Sequence, residues 1–318
     1  MVTSALKIFP VDALSAEADA GESEKRTLIF LMCCHNRRQT TLASLAGILR
    51  LCGEDSVAVS VVLVDDGSSD GTSDAISGLF PQVTLVAAGG HLYWSGSMAL
   101  AQVRALESCR PDFLCWLNDD VELDPDAVRC LLALSARREN RSPVVGSLLD
   151  RETAALTYSG YRRGSSSRPK DLIQVVPDGT EKDVATFNGN LVLIPRAVYE
   201  ALGTVDSAYA HDCGDLDYGF RAARAGFAPV LAERPLGFCT RNSASGSWRD
   251  PDLALRRRLA ALISPKGIHP RSNLVFYRRH GGPLWVAWLL GSYAKALSHI
   301  LQTRARRSAV IAHVMGRL

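Results

Sequence analysis

The eight cysteines, at 33, 34, 52, 109, 115, 130, 213 and 239, include no Cys-x-x-Cys pair. Most stand inside apolar runs, so neither a disulfide framework nor a cysteine-based zinc site is expected, and reduced, buried thiols of a cytoplasmic protein are. A basic start followed by a long apolar core is missing from "MVTSALKIFPVDALSAEADAGESEKR", so no secretory signal is read there. Charge of one sign is not in excess either. The 36 Lys and Arg against 33 Asp and Glu leave +3, too small a bias to predict nucleic-acid binding. No internal repeat or low-complexity tract is evident.

What is present is an alternation. From Thr27 the runs "TLIFLMC", "VAVSVVLV", "VTLVA", "FLCWL", "VVGSLL" and "NLVLIP" have strand length, and helical stretches separate them. That order predicts an α/β fold with a mostly parallel sheet and helices on both faces. The 318 residues, 47% hydrophobic and 22% charged, suffice for one large α/β domain with an appendage or for two domains. Residues 1–26, rich in Ala, Ser and Glu, read as a loosely held tail, 27–240 as the α/β domain, and 241–318 as a basic, helical extension. Residues 160–183, polar, basic and rich in Gly, Ser and Pro, read as a long loop or mobile hairpin. Leu42, Leu45, Ile48 and Leu49 share one face of the first helix, and Ala99, Val103 and Leu106 line a face of another. Asp124 is read as an N-cap with Pro125 at the first helical position, followed at helical spacing by Val128, Leu131, Leu132 and Ser135.

Three acidic clusters stand where these elements end or begin. Asp65 and Asp66 close "VVLVDDGSSDGT". Open α/β sheets bind ligands at the carboxyl ends of strands, so this edge can grip a nucleotide's base or ribose; an acidic turn capping the next helix is the alternative. "WLNDDVELDPDAV", residues 116–128, crowds Asn118, Asp119 and Asp120 at the end of an apolar strand, where desolvating charge is costly without a partner. Mg²⁺ or Mn²⁺ would answer that need, because such cations take one or two carboxylates while phosphates and waters complete the shell. Asp120 is the first choice of ligand, against a surface turn with helix-capping acids. In "HDCGDLDYGFRAARAGF", Asp215 opens a helix that carries Leu216, Phe220 and Ala223 and ends at Gly226. Capping alone explains an acid there, at ~1 kcal/mol, and the same environment keeps it ionised and able to take a proton from a hydroxyl.

In this order the clusters resemble the family 2 glycosyltransferases, inverting sugar-nucleotide enzymes of the GT-A fold. The resemblance covers residues 27–242, approximately, and rests on "VVLVDDGSSDGT", "LNDDV", "NGNLVLIPR" and "GDLDYGFRAARAGF"; each is weak alone, and their order and spacing carry the signal. It implies a GT-A-like mostly parallel (mixed) sheet, a nucleotide-diphosphate sugar as donor, and Asp65 or Asp66 as the acid contacting uracil or another base. It further implies Asn118 and Asp120 as the ends of a D-x-D-like metal motif with Asp119 between them, and Asp215 as the catalytic base. Two departures stand out. Many members have Glu-Asp where this chain has Gly214-Asp215, and many place a metal-binding His where this chain reads "GFCTRN", in which neither Cys239 nor Asn242 is taken as a ligand.

Residues 87–102, "AAGGHLYWSGSMALAQ", contain Gly89, Gly90 and Gly96, which permit close backbone approach to a ligand. Ser95 or Gly96 is expected to open a helix whose N-terminus faces phosphate. Similar segments in the family line the donor pocket, which makes Trp94 and His91 candidates for its wall, against core packing for Trp94 and a surface role for His91. "FNGNLVLIPR" reads as a turn of Asn188, Gly189 and Asn190 feeding a buried strand. The resemblance implies that it borders the acceptor, while an Asn-Gly hairpin turn explains it equally well.

In "PLWVAWLLGSYAKALSHIL" an apolar stripe of Trp285, Trp288, Leu289, Ala296, Leu297 and Ile300 precedes Arg304, Arg306 and Arg307. A spanning helix wants ~20 apolar residues and Lys295 and His299 interrupt this one, so residues 284–307 lie along a bilayer, or pack on the catalytic domain or on a second subunit. The expected protein is a cytoplasmic, membrane-peripheral glycosyltransferase, and the resemblance implies a hexosyl- or deoxyhexosyltransferase acting in cell-envelope polysaccharide assembly on a glycan or lipid-linked acceptor. A homo-oligomer is left open. The rivals are a sugar-phosphate nucleotidyltransferase, which would want a Gly-rich loop where "MCCHNRRQTTL" has no glycine, and a degenerate sugar-nucleotide-binding module.

Overall fold

The computed structural model describes residues 8–13, 25–50 and 57–315. Most of the expected 1–26 tail, Cys52 and the side chains of Arg304, Arg306 and Arg307 lie outside the described residues. Fourteen strands are found among those described: β1 (Ile8–Phe9), β2 (Arg26–Cys34), β3 (Val57–Asp65), β4 (Thr84–Ala87), β5 (Phe113–Leu117), β6 (Glu122–Leu123) and β7 (Val144–Leu149), then β8 (Leu156–Tyr158), β9 (Gly160–Arg163), β10 (Leu172–Gln174), β11 (Lys182–Asp183), β12 (Thr186–Phe187), β13 (Leu191–Pro195) and β14 (Val230–Phe238). The main sheet runs β1-β3-β2-β5-β13-β7-β14-β11, with β4 beside β3, β6 beside β14 and β8 beside β7. β1 to β5 pair in parallel, β13 is antiparallel to both β5 and β7, and β14 is parallel to β7. The sheet is therefore mixed, with a parallel majority, and helices flank it.

The continuous apolar runs are what a sheet covered on both faces requires. Along β2, Leu28, Phe30 and Met32 enter one core with Leu45, Ile48 and Leu131, while Ile29 and Leu31 enter the other with Met98, Ala101 and Trp116. Alternate side chains point to opposite faces, so one strand serves two cores.

The chain divides into two compact units. The first comprises Met1–Arg163, Leu172–Ser207 and Gly214–Arg241 and holds every strand named above; the second comprises Gly164–Asp171, Ala208–Cys213 and Asn242–Leu318. In the second, the helices Leu255–Leu262 and Trp285–Met315 gather around Trp248, Leu262, Ala296 and Ile300, and the Pro270–His280 helix packs on Trp285–Met315. Lys170 Nζ donates to Asp212 Oδ2 at 3.2 Å and to Asn273 Oδ1 at 2.9 Å, tying three of its segments together. No helix among the described residues is long and apolar enough to cross a membrane.

Several local expectations are corrected. The helix after the acidic cluster spans Ala127–Arg137 with Asp126 in the cap position, and Asp124 is instead paired with Arg234 at 3.1 Å. Pro125 lies in the preceding turn, because Asp124 already accepts the Ala127 N–H through its carbonyl. The Tyr93–Ser108 helix starts ahead of Ser95 and Gly96, and it buries Met98, Ala101 and Ala105 while Val103 is exposed. Asp215 sits in the first turn of the Gly214–Arg224 helix rather than at its cap. The hairpin reading of residues 160–183 needs no such change, for β9 and β10 pair as a hairpin, extended by β12 on the other edge of β9. Of the C-terminal stripe, Ala296 and Ile300 are buried, Trp285, Trp288 and Leu289 half-buried, and Leu297 exposed.

Candidate active site

Strand directions decide which residues share an edge. β2, β3 and β5 are parallel, so residues 34–38, 65–71 and 118–120 all follow strands at their carboxyl ends. β13 is antiparallel to β5 with Leu191 opposite Leu117, which brings 188–190 to the same edge; β14, pointing like β5, delivers Cys239 there too. Five segments far apart in sequence thus meet where open α/β sheets bind ligands.

The two acids after β3 hold this edge together. Asp65 accepts from the Ser68 N–H at 2.9 Å and from the Ser73 hydroxyl, closing its own turn. Asp66 reaches across: Gly90 and Leu92 donate their N–H groups to its Oδ1 at 2.9 and 3.3 Å, and Tyr93 donates to Oδ2 at 2.8 Å. Asp66 therefore caps the Tyr93–Ser108 helix from another loop, which satisfies donors that a helix start leaves free. Gly67 and Gly90, both with positive φ, pack backbone to backbone here, since a Cβ on Gly67 would lie 2.8 Å from Gly90 N. His35 Nδ1 lies 2.6 Å from the Asp66 carbonyl oxygen.

The acids after β5 have a cation already. Arg37 Nη1 donates to Asp119 Oδ1 and to Asp120 Oδ2, each at 2.8 Å. Asp119 is buried and also accepts from Thr41 Oγ1 at 3.3 Å. Burial pushes its pKa up to about 6, against the pull of the Arg37 charge. Asp120 is more open, with 14% of its side chain exposed, and its Oδ1 accepts from the Cys239 thiol at 3.3 Å. Burial, then the Asp120 charge, push the Cys239 thiol up, so it stays protonated and donating.

The third acid is held by backbone N–H groups. Asp215 Oδ2 accepts the Gly189 N–H at 3.0 Å and its Oδ1 accepts the Leu216 N–H at 2.8 Å. Trp94 stacks its edge against Gly189, and its Nε1 donates to Asn118 Oδ1 at 2.8 Å. Asn118 N donates to the Asn190 carbonyl at 3.1 Å, and Asn190 Nδ2 lies 4.0 Å from Cys239 Sγ. Tyr161 donates its hydroxyl to Asn188 Oδ1 at 2.6 Å; burial and then the Asp215 charge raise its pKa. Asp120 and Asp215 thus belong to one contact network that runs through Cys239, Asn190, Asn118, Trp94 and Gly189.

His91 and Gly89 are exposed, and Gly96 is inside a helix against Leu92. Arg37 and Tyr161 were not anticipated from sequence; the basic pair in "CHNRR", placed directly after a strand like the acids, was the available signal.

Among the described residues no group of three or more His, Cys, Asp or Glu is placed to hold a metal ion. Of the two acids after β5, Asp120 is the partly open one, and its oxygens keep acceptor capacity beyond Arg37 and Cys239. That set fits a cation that brings most of its ligands as phosphate oxygens and waters.

Two Mycobacterium tuberculosis proteins, from strains CDC 1551 / Oshkosh and ATCC 25618 / H37Rv, are each named N-acetylglucosaminyl-diphospho-decaprenol L-rhamnosyltransferase; they are 26% identical over 279 residues, covering 79% of this chain and 86% of theirs. The mannosyltransferase PcManGT from Pyrobaculum calidifontis, in complex with GDP-Man and Mn²⁺, superposes with a TM-score of 0.52 at 17% identity, over 97% of this chain and 79% of that one. GalNAc-T7 with UDP, GalNAc and Mn²⁺ superposes with a TM-score of 0.53 at 12% identity, over 76% of this chain and 55% of that one. These two likenesses carry the fold, which is GT-A-like. The model for glycosyl transferase family 2 matches residues 29–191, from β2 through the two acid pairs to the start of β13, and the chain accordingly belongs to that family, as a nucleotide-sugar-dependent glycosyltransferase.

Proposed function

We propose that the protein moves a hexosyl or deoxyhexosyl unit, with inversion, from a nucleoside-diphosphate sugar to a hydroxyl of a growing polysaccharide or lipid-linked glycan at the cytoplasmic face of the envelope. One observation carries the mechanism. The Asp215 carboxylate is held by two backbone N–H groups beside Trp94, in the same network as Asp119 and Asp120. Amide donors favour the ionised form, the state a general base needs before it accepts a proton.

In the proposed step the acceptor oxygen forms a bond to the anomeric carbon from the face opposite the diphosphate. Its proton passes to Asp215, and the bond to the diphosphate oxygen breaks with the electron pair leaving on that oxygen. No covalent enzyme intermediate is involved. Arg37 supplies fixed positive charge on the leaving-group side, and Trp94 with Gly189 forms the wall that orients the sugar. Asp120, with Asn118 at its side, would hold Mg²⁺ or Mn²⁺, which when bound offsets negative charge on the departing diphosphate. Asp66 acts on the nucleotide side by fixing the 90–93 loop. The catalytic parts all come from residues 27–240, with 241–318 as an extension. A lipid-linked acceptor and a deoxyhexose are supported by the two mycobacterial relatives, whose name carries both.

The test is a panel of labelled nucleoside-diphosphate sugars with and without Mn²⁺. Release of nucleoside diphosphate with transfer to a polyprenyl-diphosphate-linked sugar supports the proposal. Release of pyrophosphate from a nucleoside triphosphate and a sugar phosphate, or binding without turnover, would reject it in favour of a nucleotidyltransferase or a binding module.

A further inference from the structure

Every one of the 33 Asp and Glu residues lies at or before Asp252, so the 12 Lys and Arg beyond it are not offset by a single carboxylate side chain. The preceding 252 residues carry the remaining 24 Lys and Arg against all 33 acids. A chain that is nearly neutral overall is therefore sharply divided, and the second unit holds the positive part.

The helix Trp285–Met315 in that unit has a wider apolar arc than its neighbours cover. Ala296 and Ile300 are buried and Leu289 half-buried. Next to them round the helix, Val286, Leu290, Leu297 and Leu301 are 46%, 63%, 41% and 59% exposed. At 100° per residue these four fall within about 60° of one another, a single uncovered stripe. Leu284, just ahead of the helix, is 55% exposed. On the Pro270–His280 helix, Leu274 is 45% exposed and shares its face with the exposed Arg271 and Arg278, at spacings of three and four.

We propose that this face is a docking surface for an anionic lipid bilayer, on which the Trp285–Met315 helix lies flat with Val286, Leu290, Leu297 and Leu301 inserted among the acyl chains. An exposed leucine stripe in a segment whose Lys and Arg are offset by no carboxylate side chain past Asp252 is the composition of an interfacial helix. Lys and Arg near an anionic leaflet each add attraction over a screening length of about 10 Å. A second copy of the chain is the weaker occupant, because pairing two such faces would bring together cations with no carboxylates between them. The inference goes beyond the proposed glycosyl transfer and holds whichever sugar is moved.

The full chain should co-sediment with vesicles rich in phosphatidylglycerol and stay in solution with pure phosphatidylcholine. Raising salt from about 0.1 to 1 M, which shortens the screening length from about 10 to 3 Å, should release it. Leu290→Glu/Leu297→Glu should weaken vesicle binding about tenfold or more while circular dichroism and transfer to a water-soluble acceptor are unchanged. Should that variant misfold, Leu290→Ser/Leu297→Ser reads the same effect. Vesicle binding that survives both substitutions overturns the stripe as the contact. Absent vesicle binding overturns the proposal, and sedimentation as a dimer that the same substitutions disperse would give the face to a second copy. Vesicle binding needs no turnover, so an inactive protein that still binds would fail the transferase reading alone.

Discussion

Replacing Gly189 by alanine puts a methyl carbon 2.3 Å from Trp94 Cζ2, 2.5 Å from Cη2 and 3.3 Å from Asp215 Cβ. Carbon atoms prefer ~3.5–4.0 Å, so the indole must retreat by more than about 1 Å. It has little room to do so. Its ring meets Trp116 edge-on with centroids 5.5 Å apart, and Trp116 is itself fully buried against Phe187 and Tyr218. Overpacking of this kind costs about 1–3 kcal/mol. A shift of about 1 Å would also loosen the Trp94–Asn118 hydrogen bond, and misplacement on that scale costs about 10²-fold in rate. Unfolding free energies and kcat/KM should be measured for Gly189→Ala, Trp94→Phe and the double variant. Phenylalanine lacks the two ring carbons that collide with the methyl, so the double variant should be more stable than simple addition gives, by ~1 kcal/mol or more. Strict additivity, or a Gly189→Ala enzyme with unaltered stability and rate, would refute the contact on which the site's wall depends.

Arg37→Gln leaves Asp119 and Asp120 adjacent without their cation. A loss of about 1–3 kcal/mol is expected near pH 8, between the values for exposed and buried pairs because Arg37 is partly exposed. The sign with pH follows from Asp119, whose native pKa of about 6 lies above the ordinary 3.8. A raised pKa means stabilisation present at low pH and lost as pH rises through about 6. Without Arg37 that pKa moves higher, so the variant keeps losing stability above pH 6 where the wild type has levelled off. A difference in unfolding free energy that is constant from about pH 5 to 8 would count against the pairing. Asp120→Ala should raise the dissociation constant for the sugar nucleotide by about tenfold or more and abolish its response to Mn²⁺; calorimetry showing unchanged, metal-dependent binding would exclude Asp120 as the cation's residue.

The sheet was legible because its strands are covered on both faces, which forces runs such as "VVLV" and "FLCWL" that no turn can imitate. Element starts were less so. Pro125 is equally at home in a turn and at a helix's first position, and Asp124 and Asp126 are chemically alike, so only the Ala127 N–H to Asp124 carbonyl bond decides between them. The inward face of the Tyr93–Ser108 helix was misread because its buried positions include Ser95, Ser97 and Gln102, which carry no apolar signal. At the site, the acids announced themselves as charges at strand ends. Their partners did not: Arg37 pairs with Asp119 and Asp120 across 82 and 83 residues, and Asp66 reaches its three amides 24 to 27 residues away. No local pattern encodes such contacts, which exist only once parallel strands bring their ends together.

The central claim is that Asp215 takes the acceptor's proton, and Asp215→Asn measures it most directly. Asparagine keeps an oxygen to accept the Gly189 or Leu216 N–H, so the fold and donor affinity should hold to about twofold. The transfer rate at saturating donor should drop by about 10²–10⁴, or ~3–5 kcal/mol of barrier. A variant that binds donor normally and transfers at a rate within tenfold of the wild type, to order of magnitude, would contradict the account.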